Sequence, residues 1–238
     1  MKKTTLVMAI GLGLALISAA QAWQGFLDGS ALPGPPWDPF INEGSTTVVD
    51  IGGGNMALRM DSPAHSDGEG THYNEYYDIR FGETKVLGAA RFRLVEFSSP
   101  GMENLLGVTV GAPNPIAPSI TLVDGNYWVW SYTSNEPILD LGAAVLDEWH
   151  TAYILANRIT GKAKVWWDGA LVVDGLVTDS PNYDGYVEFG SGTYWQTTAH
   201  TVVDFDWVGS GIPEPGTISL TVVGSWAFLA LRRRQAAQ

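Results

Sequence analysis

Through the middle of the chain, apolar and polar residues alternate with a period of two in short runs, each closed by glycine, asparagine or aspartate. The clearest run is Gly88 to Phe97, where Ala90, Phe92 and Leu94 alternate with Arg91 and Arg93. Strand side chains point to opposite faces in turn, so such a run buries one face and leaves charge on the other. Weaker versions predict strands over Thr47–Ile51, Met56–Met60, Tyr76–Phe81, Leu105–Val110, Ser119–Val123, Asn126–Tyr132, Trp149–Asn157, Lys162–Trp167, Ala170–Leu176, Tyr186–Phe189 and Thr201–Val208. No stretch between the two ends has a helical period with caps, and only Gly142–Leu146 suits a short helical turn. The segment Trp23–Phe40, rich in Pro, Gly and Trp, has no periodicity and reads as an extended lead-in along the domain edge.

Both ends break this pattern with continuous apolar runs. Met1 to Ala22 carries Lys2 and Lys3, an apolar stretch from Leu6 to Ala20, and the small-x-small site Ala20-Gln21-Ala22, the layout of a cleavable secretory signal peptide. The segment from Ile212 to Gln238 opens with Pro213, Glu214 and Pro215, which resist both helix and central strand. Gly216 to Leu231 follows, apolar all round a helix yet only about 24 Å long, short for a bilayer crossing. Arg232, Arg233 and Arg234 then hold that end at the cytoplasmic face. The chain therefore divides into a signal peptide (1–22), a β domain (23–211) and a tail (212–238).

The order of motif, short apolar helix and basic cluster resembles the PEP-CTERM sorting signal of Gram-negative bacteria. The resemblance covers Ile212 to about Arg234. It implies recognition by an exosortase, a membrane transpeptidase that removes the tail during export. It also implies a transient anchor in the inner membrane and a final place at the cell surface, outside the cell or in a biofilm matrix. An uncleaved membrane anchor is the plainer alternative.

Composition narrows the partners. The formal charge is -12, but five of the 13 basic residues and Glu214 sit in the two ends, so 8 basic residues face 24 acidic ones and the exported part carries -16. Nucleic acid and anionic lipid are poor partners for such a surface. There is no cysteine, which excludes disulfides, zinc–thiolate sites and a cysteine nucleophile and leaves stability to the core.

Glu148 to Gly175 reads as a meander of three strands turning at Thr160-Gly161 and Asp168-Gly169, the second a dipeptide suited to the positive φ of a tight hairpin. This meander, with the closing run Val202 to Val208, resembles the concanavalin A-like or laminin G-like jelly roll. The resemblance implies an all-β, two-sheet antiparallel sandwich whose last strand pairs near the N-terminal one. It also implies a face or rim that binds glycans.

Trp128, Trp130 and Tyr132 recur at every second position, so they share one face of a strand and suit a stacking platform for sugar rings. The same stripe equally suits the interior of a sandwich, where aromatics abound. Tyr183 and Trp195 fall in loops and are further rim candidates. Asp61, Asp67 and Glu69, with Gly68 and Gly70 between, supply hard oxygen ligands for calcium, although the spacing is not that of an EF-hand. No other cofactor is suggested.

For catalysis, the retaining glucanases of this fold carry Glu-x-Asp-x-x-Glu on one strand, and no such run exists here; nor does a Gly-x-Ser-x-Gly elbow accompany His65, His72, His150 or His200. Asp204 and Asp206 share a strand face but read as a solvent-facing edge. The sequence thus suggests a non-catalytic exported protein that binds polysaccharide. The alternatives are a glycoside hydrolase or lyase with acids from separate strands, and a purely structural surface protein.

Overall fold

The computed structural model describes residues 23–34, 37–41, 44–62, 73–77, 85–98, 101–110, 116–131, 136–176, 186–190 and 200–211. The signal peptide, the Pro213-Glu214-Pro215 tail and Arg232 to Arg234 lie outside them. Among the described residues every regular element is a strand. In chain order these are β1 (Trp23–Leu27), β2 (Asp38–Ile41), β3 (Ser45–Asp50), β4 (Met56–Ser62), β5 (Tyr73–Tyr77), β6 (Lys85–Phe97), β7 (Met102–Thr109) and β8 (Pro118–Val123). They continue with β9 (Asn126–Ser131), β10 (Glu136–Ala143), β11 (Trp149–Asn157), β12 (Lys162–Trp167), β13 (Ala170–Leu176), β14 (Tyr186–Gly190) and β15 (Thr201–Gly211).

Two antiparallel sheets result. One has eight strands in the order β13-β12-β11-β6-β15-β4-β3, with β1 also on β15; the other has seven, β10-β9-β8-β7-β14-β5-β2. The meander is β11-β12-β13, and its second turn has positive φ at both Asp168 (49°) and Gly169 (84°), the twist that a two-residue hairpin needs. The closing strand meets the N-terminal one as expected, with Leu27 opposite Val208 and Trp23 opposite Gly211.

Alternation fills the space between the sheets. Ala90, Phe92 and Leu94 of β6 meet Val203 and Phe205 of β15, and the other sheet contributes Val108, Ile120, Tyr127, Val129 and Phe189. Phe92 packs at 5.9 Å from Phe205 and 6.1 Å from Tyr127, and Phe189 closes edge-on against Phe205 at 5.3 Å. Deleting such a ring costs about 3–5 kcal/mol, so this aromatic seam is what fixes the distance between the sheets.

Three expectations need correction. The lead-in is not featureless: it contributes β1 and β2, whose short runs are interrupted by prolines and glycines. The third predicted strand begins earlier, at Tyr73. Gly142 and Ala143 end a strand, β10, where a helical turn was expected. Register shifts between Pro137 and Leu139, and again between Asp140 and Gly142, erase the period of two that would have revealed it.

Candidate functional site

Each sheet has an outer face, turned away from the core, and the two differ in chemistry. On the eight-stranded sheet the outer face carries an apolar cluster of Leu87, Ala89, Tyr153, Leu155, Trp166 and Trp207 beside a belt of neutralised charge. β15 lies between β6 and β4, so Asp204 is a central-strand residue and fully buried, not a solvent-facing edge as the sequence suggested. Arg59 Nε donates to Asp204 Oδ1 at 2.7 Å and Arg59 Nη2 to Oδ2 at 2.9 Å. Arg93 Nη2 also donates to Oδ2, at 2.9 Å. Asp206 is paired with Arg91, and the guanidinium carbons of Arg91 and Arg93 stand 4.5 and 5.0 Å from the Trp149 ring centre. Bidentate pairing and cation–π contact consume these groups structurally. The carboxylates that looked most like a catalytic pair are already engaged.

The seven-stranded sheet is different. On β9, Tyr127 and Val129 enter the core, so Trp128 and Trp130 share the outer face, which resolves the aromatic stripe against the core assignment. Cross-strand registration carries that face across the sheet as two rows. One runs Glu188, Gly107, Ser119, Trp130, Pro137. The other runs Asn104, Thr121, Trp128, Asp140. With strands spaced about 4.8 Å apart, the first row is about 19 Å long, the length of a few sugar rings in file.

Glu188 is the chemical centre of this face. Its neighbours Val187 and Phe189 enter the core, so alternation turns the carboxyl outward, yet it is buried. Burial pushes its pKa up to about 7 from the ordinary 4.5, opposed by a hydrogen bond that Asn104 Nδ2 donates to Oε1. Two backbone features allow that arrangement. Gly107 lies directly beneath Glu188, and a Cβ there would come within 2.7 Å of the Glu188 Cγ. The register shift between Asn104 and Leu106 inserts Leu105, which brings Asn104 and Gly107, three apart in sequence, onto one face.

Ser119 Oγ and Thr121 Oγ1 pair at 2.9 Å along the floor. Glu188 Oε2, Asn104 Oδ1 and Trp130 Nε1 are buried and have no hydrogen-bond partner among the described residues. Unsatisfied buried groups cost about 1–3 kcal/mol each, so a hydroxyl admitted to any of these three would gain a bond they lack.

Of the residues singled out from the sequence, Trp128 and Trp130 join this face. Tyr132, Tyr183 and Trp195 lie outside the described residues, as do Asp67, Glu69, His65 and His72. Asp61 is described and is held by His200, whose Nε2 sits 2.8 Å from Asp61 Oδ1 and Nδ1 3.2 Å from Glu96 Oε1. The Asp61 hydrogen bond, aided by both carboxylates, raises the His200 pKa against the opposing cost of burial. No cluster of three acidic or histidine side chains suited to a metal occurs among the described residues. His150 has the structural place expected of it, with Nδ1 2.8 Å from Asp168 Oδ2 and its ring stacked on Trp167 at 4.6 Å.

Glu188, Asn104 and Gly107 escaped the sequence reading. The available signal was a lone acid between Val187 and Phe189, in phase to face away from the core.

No protein-family model and no curated protein matches the sequence. Solved structures do match in fold. An alginate lyase of polysaccharide lyase family 7 superposes with a TM-score of 0.51 at 15% identity, covering 70% of this chain and 82% of that one. A carbohydrate esterase of the Shiga toxin-encoding bacteriophage phi24B gives 0.55 at 16%, covering 75% and 90%. A second alginate lyase gives 0.52 at 12%, covering 74% and 96%. At these identities the likeness shows the fold, the antiparallel jelly-roll sandwich expected from the sequence. Two of these matches are lyases and one is an esterase, which overturns the expectation that the fold marks a non-catalytic protein. The missing Glu-x-Asp-x-x-Glu and Gly-x-Ser-x-Gly motifs exclude only the mechanisms those motifs serve.

Proposed function

We propose that this protein is an exported enzyme that cleaves a linkage in an extracellular polysaccharide on the outer face of its seven-stranded sheet. The observation that carries this reading is Glu188, a buried carboxyl with a pKa near neutrality on a face floored by Trp128 and Trp130. A group that titrates near the working pH both gives and takes a proton readily, which is what general acid–base catalysis requires. Asn104 orients the carboxyl from one side, and Gly107 leaves it room. The indole faces stack on sugar rings, and the open Trp130 Nε1 and Asn104 Oδ1 take hydroxyls. The lyase and esterase activities named for proteins of the same fold support a carbohydrate substrate.

Residues 1–22 direct the chain out of the cytoplasm, and an exosortase-type transpeptidase recognises Pro213-Glu214-Pro215 and removes the apolar tail ending at Arg232 to Arg234. The enzyme is thereby released at the surface of a Gram-negative cell, among the polysaccharides on which it acts.

Incubating the purified protein with a panel of bacterial and plant polysaccharides tests the catalytic reading. Shortened chains or released acyl groups are expected from the wild type and not from Glu188→Gln. An inert wild type across the panel, or a Glu188→Gln variant as fast as the wild type, would sink it.

A further inference from the structure

The charges of this protein are sorted by sheet. The seven strands of the site sheet contain Asp38, Glu75, Glu103, Glu136, Asp140 and Glu188 and no lysine, arginine or histidine. The eight strands of the other sheet hold Arg59, Lys85, Arg91, Arg93, Lys162 and Lys164. The three arginines on its outer face are already paired with Asp204 and Asp206. Arg80, His65 and His72 are the basic residues between Trp23 and Gly211 that lie outside the described residues.

Acidity alone would say little, but the polar atoms of this face point to a ligand. Glu188 Oε2, Asn104 Oδ1 and Trp130 Nε1 are buried and unpartnered among the described residues, and Asn104 and Glu188 already bond to each other. Together with Ser119 and Thr121 they form a set of neutral donors and acceptors beside two indole rings. Such a set matches hydroxyls and pyranose faces. Among the described residues it offers no cation for a carboxylate or sulfate, which would instead meet Glu188, whose ionised form repels it.

We infer that the substrate is an uncharged polysaccharide, cut by hydrolysis, rather than a polyuronate cut by β-elimination. The inference rests on the proposed site and narrows its substrate. Elimination draws a proton from the carbon beside a uronate carboxylate, and that carboxylate must be neutralised for the proton to leave. Hydrolysis needs no charge on the sugar. Glu188 gives its proton to the departing linkage oxygen as the carbon–oxygen bond breaks, and the hydroxide part of a water bonds to the carbon. The proton that the water sheds restores Glu188, so one water is consumed per bond.

The test uses the full protein carrying Glu188→Gln, titrated calorimetrically with β-glucan and xylan oligosaccharides and with oligomannuronate, oligoguluronate and oligogalacturonate, at low and high salt. Products of the wild type acting on the parent polymers are analysed in parallel. At least one uncharged oligosaccharide should bind, with an affinity that changes less than about twofold with salt, because no screened charge pair contributes. The uronates should bind about tenfold more weakly or worse. New reducing ends should appear without unsaturated sugars. A second variant, Asp140→Lys, places a cation at the exposed end of one row and should raise uronate affinity relative to that of the uncharged ligand. Tight uronate binding, or unsaturated products, would overturn the substrate inference and leave the site intact. Failure to bind or cut either class would remove the site itself.

Discussion

Replacing Glu188 by glutamine should change how the stability of this protein depends on pH, by an amount that follows from its burial. In the folded chain the carboxyl is held near pKa 7, whereas the ordinary value is 4.5. Between those values the folded state binds the proton more tightly than the unfolded state. Stability from this group is therefore complete below about pH 4.5 and declines as pH rises towards about 7, becoming flat above. The shift of about 2.5 units, at 1.36 kcal/mol each, amounts to roughly 3 kcal/mol. Glutamine keeps the shape and has no proton to lose, so the stability difference between variant and wild type should move by about 3 kcal/mol in favour of the variant from pH 4 to pH 8. Denaturant unfolding of both proteins at half-unit pH steps measures it. Every other acid cancels in the difference, and the new amide beside Asn104 adds only a constant offset. Parallel curves across that range would refute the argument, because they would place the Glu188 carboxyl in water.

Three further outcomes follow from the same geometry. Gly107→Ala puts a methyl group under the Glu188 carboxyl and should depress turnover at least about tenfold, with a steady-state assay showing kcat affected more than KM. Asp204→Ala strips Arg59 and Arg93 of their shared acceptor and should cost about 3 kcal/mol in denaturant unfolding. Its activity should stay near wild type wherever the protein is folded, since the proposed site lies on the other sheet. His200→Ala should remove a stabilising contribution that is full below the ordinary histidine pKa and lost as pH rises through the raised one. Because the cluster is partly exposed, the loss should stay below about 1 kcal/mol and shrink with salt.

The sandwich was legible because alternation in runs such as Gly88–Phe97 reports directly on a buried face, and because Asp168-Gly169 fits only a tight turn. β10 was hidden because two irregularities in its pairing break the alternation that a linear reading detects. The site was harder. Asp204 looked like a surface acid because its partner Arg59 stands 145 residues away, on a strand whose adjacency only the fold creates. Asn104 and Glu188 meet across 84 residues, and the inserted Leu105 that aligns Asn104 leaves no mark on the local pattern. The aromatic stripe at Trp128 and Trp130 was visible, but a period of two says which residues share a face and not which face looks inward. Tyr127 and Val129, equally apolar and in the opposite phase, took the core.

The most direct test of the account is a crystal structure of the Glu188→Gln protein soaked with an oligosaccharide that the wild type cuts. A sugar ring is expected against Trp128 or Trp130, with a linkage oxygen within about 3.2 Å of the residue 188 side chain. A glycan seated on the opposite sheet, over Trp149 and the Arg59, Arg91 and Arg93 belt, would contradict it.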